Sequence, residues 1–181
     1  MTSPRPTSVG GPPSRWARTI GTIGIVIGVL IVIDQLDDLW MHLTWTEADW
    51  RRVFSAEVAR LISDATRPPG FQFAWNLLHM ALGALLIVGA AKLRRRSRTG
   101  IRLCRAWAWI AIGWAVVELT WALRLLYRYS GEIQGLAGSS WHLWAGIGLL
   151  IAIVLMVAFP VFLLLWFSRT EIRADWIAWP D

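Results

Sequence analysis

Four apolar runs, separated by polar interruptions of different character, organise the chain. Thr19–Ile33 carries no charge and leads into Asp34, Asp37 and Asp38. Later runs over about 74–93, 101–124 and 140–167 are each broken only by isolated polar residues. A helix crosses a hydrocarbon core of ~30 Å with roughly 20 residues, so each run predicts a membrane span. The expected spans are about Thr19–Met41, Ala74–Leu93, Ile101–Arg124 and Ser140–Phe167. In the last, Pro160 lacks the N–H that closes the preceding turn, so a kink is expected there. In the first, Gly21, Gly24 and Gly28 form a small-residue face on which another helix can approach closely.

The segment between the first two runs has a different period. Trp50, Val53, Phe54, Val58, Leu61 and Ile62 recur at intervals of three and four, with Glu47, Arg51, Arg52, Glu57 and Arg60 largely between them. That pattern predicts an amphipathic helix over about 47–64, opened at Thr46 and Asp49 and stopped by Pro68, Pro69 and Gly70. We expect it to lie in the outer interface with Trp50 and Phe54 among the headgroups; a cap over the bundle is the alternative. The fold class is therefore an all-α membrane protein, a four-transmembrane-helix bundle with an amphipathic extramembrane helix between spans 1 and 2. Residues 1–18, with four prolines and two glycines, read as a disordered cytoplasmic tail, and 168–181 as a second cytoplasmic tail.

Composition removes the soluble alternative. Hydrophobic residues make up 56% and charged residues 17% of the chain, against about 25% charged in a soluble domain. Charge then sets the orientation. The connector Lys92–Arg105 holds seven of the 18 basic residues and no acid, and short cytoplasmic loops collect Lys and Arg. With that connector inside, twelve bases lie inside, counting Arg5, Arg15, Arg18, Arg169 and Arg173, and six outside. Both termini are then cytoplasmic, in a plasma membrane we take to be a bacterial inner membrane. The connector's arginines suit anionic lipid headgroups; without interleaved aromatics they do not suggest nucleic acid. The single cysteine, Cys104, excludes an intrachain disulfide and reads as a small apolar residue.

So oriented, the polar residues of the spans gather at the outer end. Asp34, Asp38 and His42 follow one face of the first helix at i, i+4 and i+8. Asn76 and His79 stand in the early turns of the second, Glu118 late in the third, and His142 early in the fourth. His79 and His142 each open an H-x-x-x-G stretch, a faint sign of two related hairpins. A charge in hydrocarbon needs a partner, so Glu118 is expected to face inward and bond His79, Arg124 or a Trp N–H, locking helices together. A sharper reading makes Asp34, Asp38, His42, His79, Glu118 and His142 ligands of Zn or Fe, or His79 and His142 the axial ligands of haem b. Trp107, Trp114 and Trp121 recur every seven residues and read as a packing stripe. No nucleophile elbow, phosphate loop, zinc-protease or dinucleotide motif occurs. The expected function is thus a non-enzymatic accessory or assembly protein, with a membrane-protein partner or a second copy as its target. The alternative is a haem- or metal-binding protein.

Overall fold

The computed structural model describes residues 15–46, 48–49, 52, 69–128, 141–177 and 179. These form α1 (Trp16–Thr44), α2 (Pro69–Arg94), α3 (Arg98–Arg128), α4 (Trp141–Ser168) and α5 (Thr170–Ile177). No strand occurs among the described residues. The segments Trp16–Met41, Phe71–Arg94 and Arg98–Arg128 are each long and apolar enough to cross a membrane. Helix α4 runs for 28 residues, passes through the buried Pro160 and carries a further apolar stretch, Met156–Ser168. The amphipathic helix expected over 47–64 lies outside the described residues save for Ala48, Asp49 and Arg52. So does most of the expected N-terminal tail, although α1 begins inside it, at Trp16.

Successive long helices pack antiparallel, α1 on α2, α2 on α3, α3 on α4. The α1–α2 contact is the most extensive, and glycines let the two helices approach closely. A Cβ on Gly28 would stand 2.7 Å from Ile87 Cγ1 and 2.8 Å from the Gly83 carbonyl oxygen; one on Gly21 would meet the Ala90 carbonyl at 2.7 Å. The small-residue face of α1 is thus filled by α2, whose own Gly83 lies opposite Gly28.

The turn between α2 and α3 is equally tight. Ser97 N–H donates to Lys92 O at 3.1 Å and Arg96 N–H to Leu93 O at 2.9 Å, the pair of bonds that ends a helix in a Schellman motif. The residue this motif turns left-handed is Arg96, at φ 58, where glycine is the usual occupant. Gly100 then lies so close to α2 that a Cβ there would reach the backbone of Leu93 and Lys92.

The apolar core lies toward this basic end: Leu86, Leu93, Ile101, Cys104, Leu163 and Phe167 are all buried. Here the start of α1 also meets the end of α4 and α5. Trp16 stacks on Trp179 at 5.2 Å, meets Phe167 edge-on at 6.2 Å, and donates its indole N–H to Asp175 Oδ2 at 2.9 Å. Arg98 donates to the Ile177 carbonyl, fixing α5 against the connector. Facing outward are Leu30 and Ile33 of α1, Leu77 of α2, Val116 of α3, and Leu150 and Val154 of α4. Water does not tolerate apolar surface spread so widely over a monomer, whereas lipid does.

Candidate functional site

At the end opposite the connector, the long helices bring polar side chains together. Asp34 and Asp38 stand one turn apart on α1, and α2 meets them with side chains at its own i, i+4 spacing. Gln72 donates through Nε2 to Asp38 Oδ2 and to Asn76 Oδ1, both at 2.9 Å, while Asn76 donates to the same Asp38 oxygen at 2.8 Å. Asn76 is fully buried, so this closed set of amide and carboxylate bonds answers the cost of burying it. Asp34 accepts from its neighbour Gln35 at 2.9 Å and stays exposed.

A second set joins α2 to α3. The Trp75 indole N–H donates to Glu118 Oε1 at 2.6 Å. Trp114 donates its indole N–H to His79 Nε2, which makes that nitrogen an acceptor and puts the ring proton on Nδ1. His79 Nδ1 lies 3.2 Å from the Trp75 carbonyl oxygen, the bond this tautomer can donate. Both ring nitrogens are then engaged. His79 Nε2 also approaches Glu118 Oε1 to 3.6 Å, within ion-pair range. Since Nε2 is accepting from Trp114, we read that approach as two acceptors sharing a site. The rings hold one another as well: Trp75 and Trp114 lie 4.0 Å apart, and His79 meets Trp114 edge-on at 5.0 Å.

The two sets line one cleft of about 400 Å³. Helix α1 contributes Asp34, Gln35, Asp37, Asp38 and Met41; α2 contributes Gln72, Trp75, Asn76 and His79; α3 adds Glu118 and α4 Met156. A neighbouring groove of about 290 Å³ runs between α3 and α4, walled by aliphatic side chains such as Ile112, Leu119 and Ile153. Glu118 and Met156 line both. Pro160 has no N–H to offer the Met156 carbonyl, so the helix cannot satisfy that oxygen at the shared rim in the usual way.

Of the residues expected to form a site, Asp34, Asp38, His79 and Glu118 are thus neighbours along one cleft. His42 and His142 belong to α1 and α4, but their side chains lie outside the described residues. Among the described residues, no three of His, Cys, Asp and Glu are arranged to hold a metal ion. Sequence reasoning missed Gln72, Trp75 and Asp37, and it took Trp114 for packing alone. The spacing of Trp75 to His79 and of Gln72 to Asn76, four residues each, was the available signal. Trp107 of the same stripe does pack: it is buried and meets Phe159 at 5.9 Å. Chemically the cleft offers carboxylates, amides, an imidazole and an indole, a set suited to hydrogen bonding and to cations. No protein-family model, curated protein or solved structure matches the chain.

Proposed function

We propose that the protein is a four-crossing, non-enzymatic component of a plasma membrane, an accessory or assembly subunit with both termini cytoplasmic. The observation that carries this reading is the internal satisfaction of the polar cluster. Across the α2–α3 contact His79 Nε2 accepts from Trp114 and Glu118 accepts from the Trp75 N–H, while His79 Nδ1 faces the Trp75 carbonyl on its own helix. A histidine so bound holds helices in register; as a metal or haem ligand it would first have to give up one of these two bonds. The four-crossing count is supported by where the chain returns. The end of α4 and, through Asp175 and Ile177, α5 lie against the start of α1 and the connector, which supports α4 running back the length of the assembly. The abundance of arginine at that end supports placing it inside, against anionic headgroups.

The full chain purified in detergent tests the reading through its absorption spectrum, its metal content and whatever co-purifies. We expect no Soret band, metal well below one equivalent, and either a second membrane protein or a second copy in the particle. A Soret band, or one equivalent of metal lost on His79→Ala, would establish the cofactor-binding alternative instead.

A further inference from the structure

Helix α4 packs chiefly on α3, and Pro160 divides that packing in two. Past the proline, Leu163 and Phe167 are buried in the apolar core, on the face that the fully buried Pro160 also presents. Before it, Ile147, Leu150, Ile151, Val154 and Met156 are exposed, and no described side chain from 147 to 159 is buried. Over this stretch the groove of about 290 Å³ separates Ile153, Met156 and Val157 from α3. The proline thus stands where a seated half of the helix meets a half that leaves space beneath it, and proline is a common point for a long helix to bend. Two polar groups at the same junction lack their usual partners. Pro160 offers no N–H to the Met156 carbonyl. Trp107 of α3 is buried, and its indole N–H has no hydrogen-bond partner. Its ring lies 5.9 Å from that of Phe159. A helical carbonyl points toward the C-terminal end of its helix, so the Met156 oxygen is directed at the level of Phe159 and Pro160, beside Trp107. In a hydrocarbon interior, such a donor and such an acceptor favour any position of α4 that joins them.

We propose that the half of α4 before Pro160 is a hinged flap over the α3–α4 groove, latched shut by a hydrogen bond from the Trp107 indole N–H to the Met156 carbonyl oxygen. With the flap out, the groove is open and the latch is unmade. With it in, Ile153 and Val157 move onto Ile112 and Leu119, and the bond forms. A single interhelical bond within a membrane is weak, so both positions are populated. The device goes beyond the accessory role and is independent of it: it needs no partner, and it holds whichever end of the molecule is cytoplasmic.

The test uses the full chain in lipid nanodiscs, with Cys104→Ala and spin labels on paired cysteines, read by electron–electron double resonance. Leu123→Cys with Leu150→Cys spans the groove, and Arg102→Cys with Leu165→Cys spans the seated half; all four side chains are exposed. From Pro160 back to Leu150 is about 15 Å of helix, so a swing of ~20° displaces Leu150 by about 5 Å. The first pair should therefore give two distances and the second pair one. Replacing Trp107 by benzothienylalanine keeps the bicyclic ring and removes the N–H. It should shift the first pair roughly threefold or more in population toward its longer distance and leave the second pair unchanged. Pro160→Ala, which restores the N–H within α4, should reduce the first pair to one distance. If that variant does not fold, the replacement at Trp107 decides without it. One distance across the groove in the chain with Pro160 and Trp107 intact, populations unmoved by loss of the Trp107 N–H, or two distances persisting in folded Pro160→Ala would each overturn the proposal.

Discussion

His79 and Glu118 make their bonds through tryptophan, and this sets what each bond is worth. Trp75→Phe keeps an aromatic ring against Trp114 but removes, with the five-membered part of the indole, the N–H that reaches Glu118. Interhelical hydrogen bonds within membranes average about 0.6 kcal/mol and reach about 1.7, because the unfolded helices find other partners. The bond from Trp75 is short and partly buried, so we expect a loss of about 1–1.7 kcal/mol on unfolding by dodecyl sulfate titration. Trp114→Phe should cost a similar amount. The double variant should cost less than the sum, since His79 and Glu118 lie within 3.6 Å and can then pair with each other. Strict additivity would show that the two bonds do not belong to one cluster. Outside the spans, Asp49 is governed by different terms. The Thr46 hydroxyl and N–H, both donating to it, and then the nearby Arg52 hold its carboxyl below the ordinary carboxylate range. A lowered carboxyl stabilises its contacts above its ordinary titration range and loses them as pH falls through the lowered one. In an NMR titration, Thr46→Ala should therefore move the Asp49 midpoint up toward its ordinary value.

Among the elements, the α1–α2 pair shows how far sequence could carry the argument. The glycine spacing on α1 announced a close approach, and α2 is what makes it. Adding a methyl at Gly28 would meet the Gly83 carbonyl at 2.8 Å, backbone that cannot swing aside, so the helices must separate. Overpacking of this kind costs about 1–3 kcal/mol, and we expect Gly28→Ala to fall in that range. Gly113 of α3 is the internal control. A Cβ there meets nothing within 4 Å, so Gly113→Ala should be neutral or stabilising. Loss of stability in both variants alike would point to helix propensity or lipid contact, and not to the α1–α2 interface. The α2–α3 turn was less legible. A Schellman motif led by arginine at φ 58 carries none of the glycine that marks such turns in a sequence. The register between α2 and α3 was also hidden, because periodicity gives a helix its face but not its depth against a neighbour. Hence Glu118 was expected to bond His79, Arg124 or a Trp N–H, while Trp75 in particular was not foreseen. Helix α5 escaped notice because eight residues have little helical stability of their own. It is held by Trp16 and Arg98, which lie far away in the chain.

For the whole molecule the decisive question is which segments share a side of the membrane, and the structure sorts them between two ends of the helix assembly. The start of α1, the connector and α5 touch one another at one end; the carboxylates of α1 and the tops of α2 and α3 gather at the other. This division does not depend on which end is cytoplasmic, so it can be tested apart from the charge argument. With the buried Cys104 replaced by alanine, the chain has no cysteine, and single cysteines report accessibility cleanly. Arg96→Cys in the connector and Glu171→Cys in α5, both at the basic end, should react with a membrane-impermeant maleimide from the same side. Asp37→Cys, lining the cleft, should react from the opposite one. In right-side-out vesicles the Asp37 position should label without lysis and the other two only after it, because short arginine-rich loops are retained inside. Labelling of positions 96 and 171 from opposite sides would mean that α4 does not return across the bilayer, leaving an odd number of crossings. Labelling of both from outside would keep the fold and invert the membrane around it, placing the acidic cleft at the cytoplasmic surface. The first outcome removes the wall that α4 lends to the groove; the second leaves cleft and groove intact and changes only the leaflet they face.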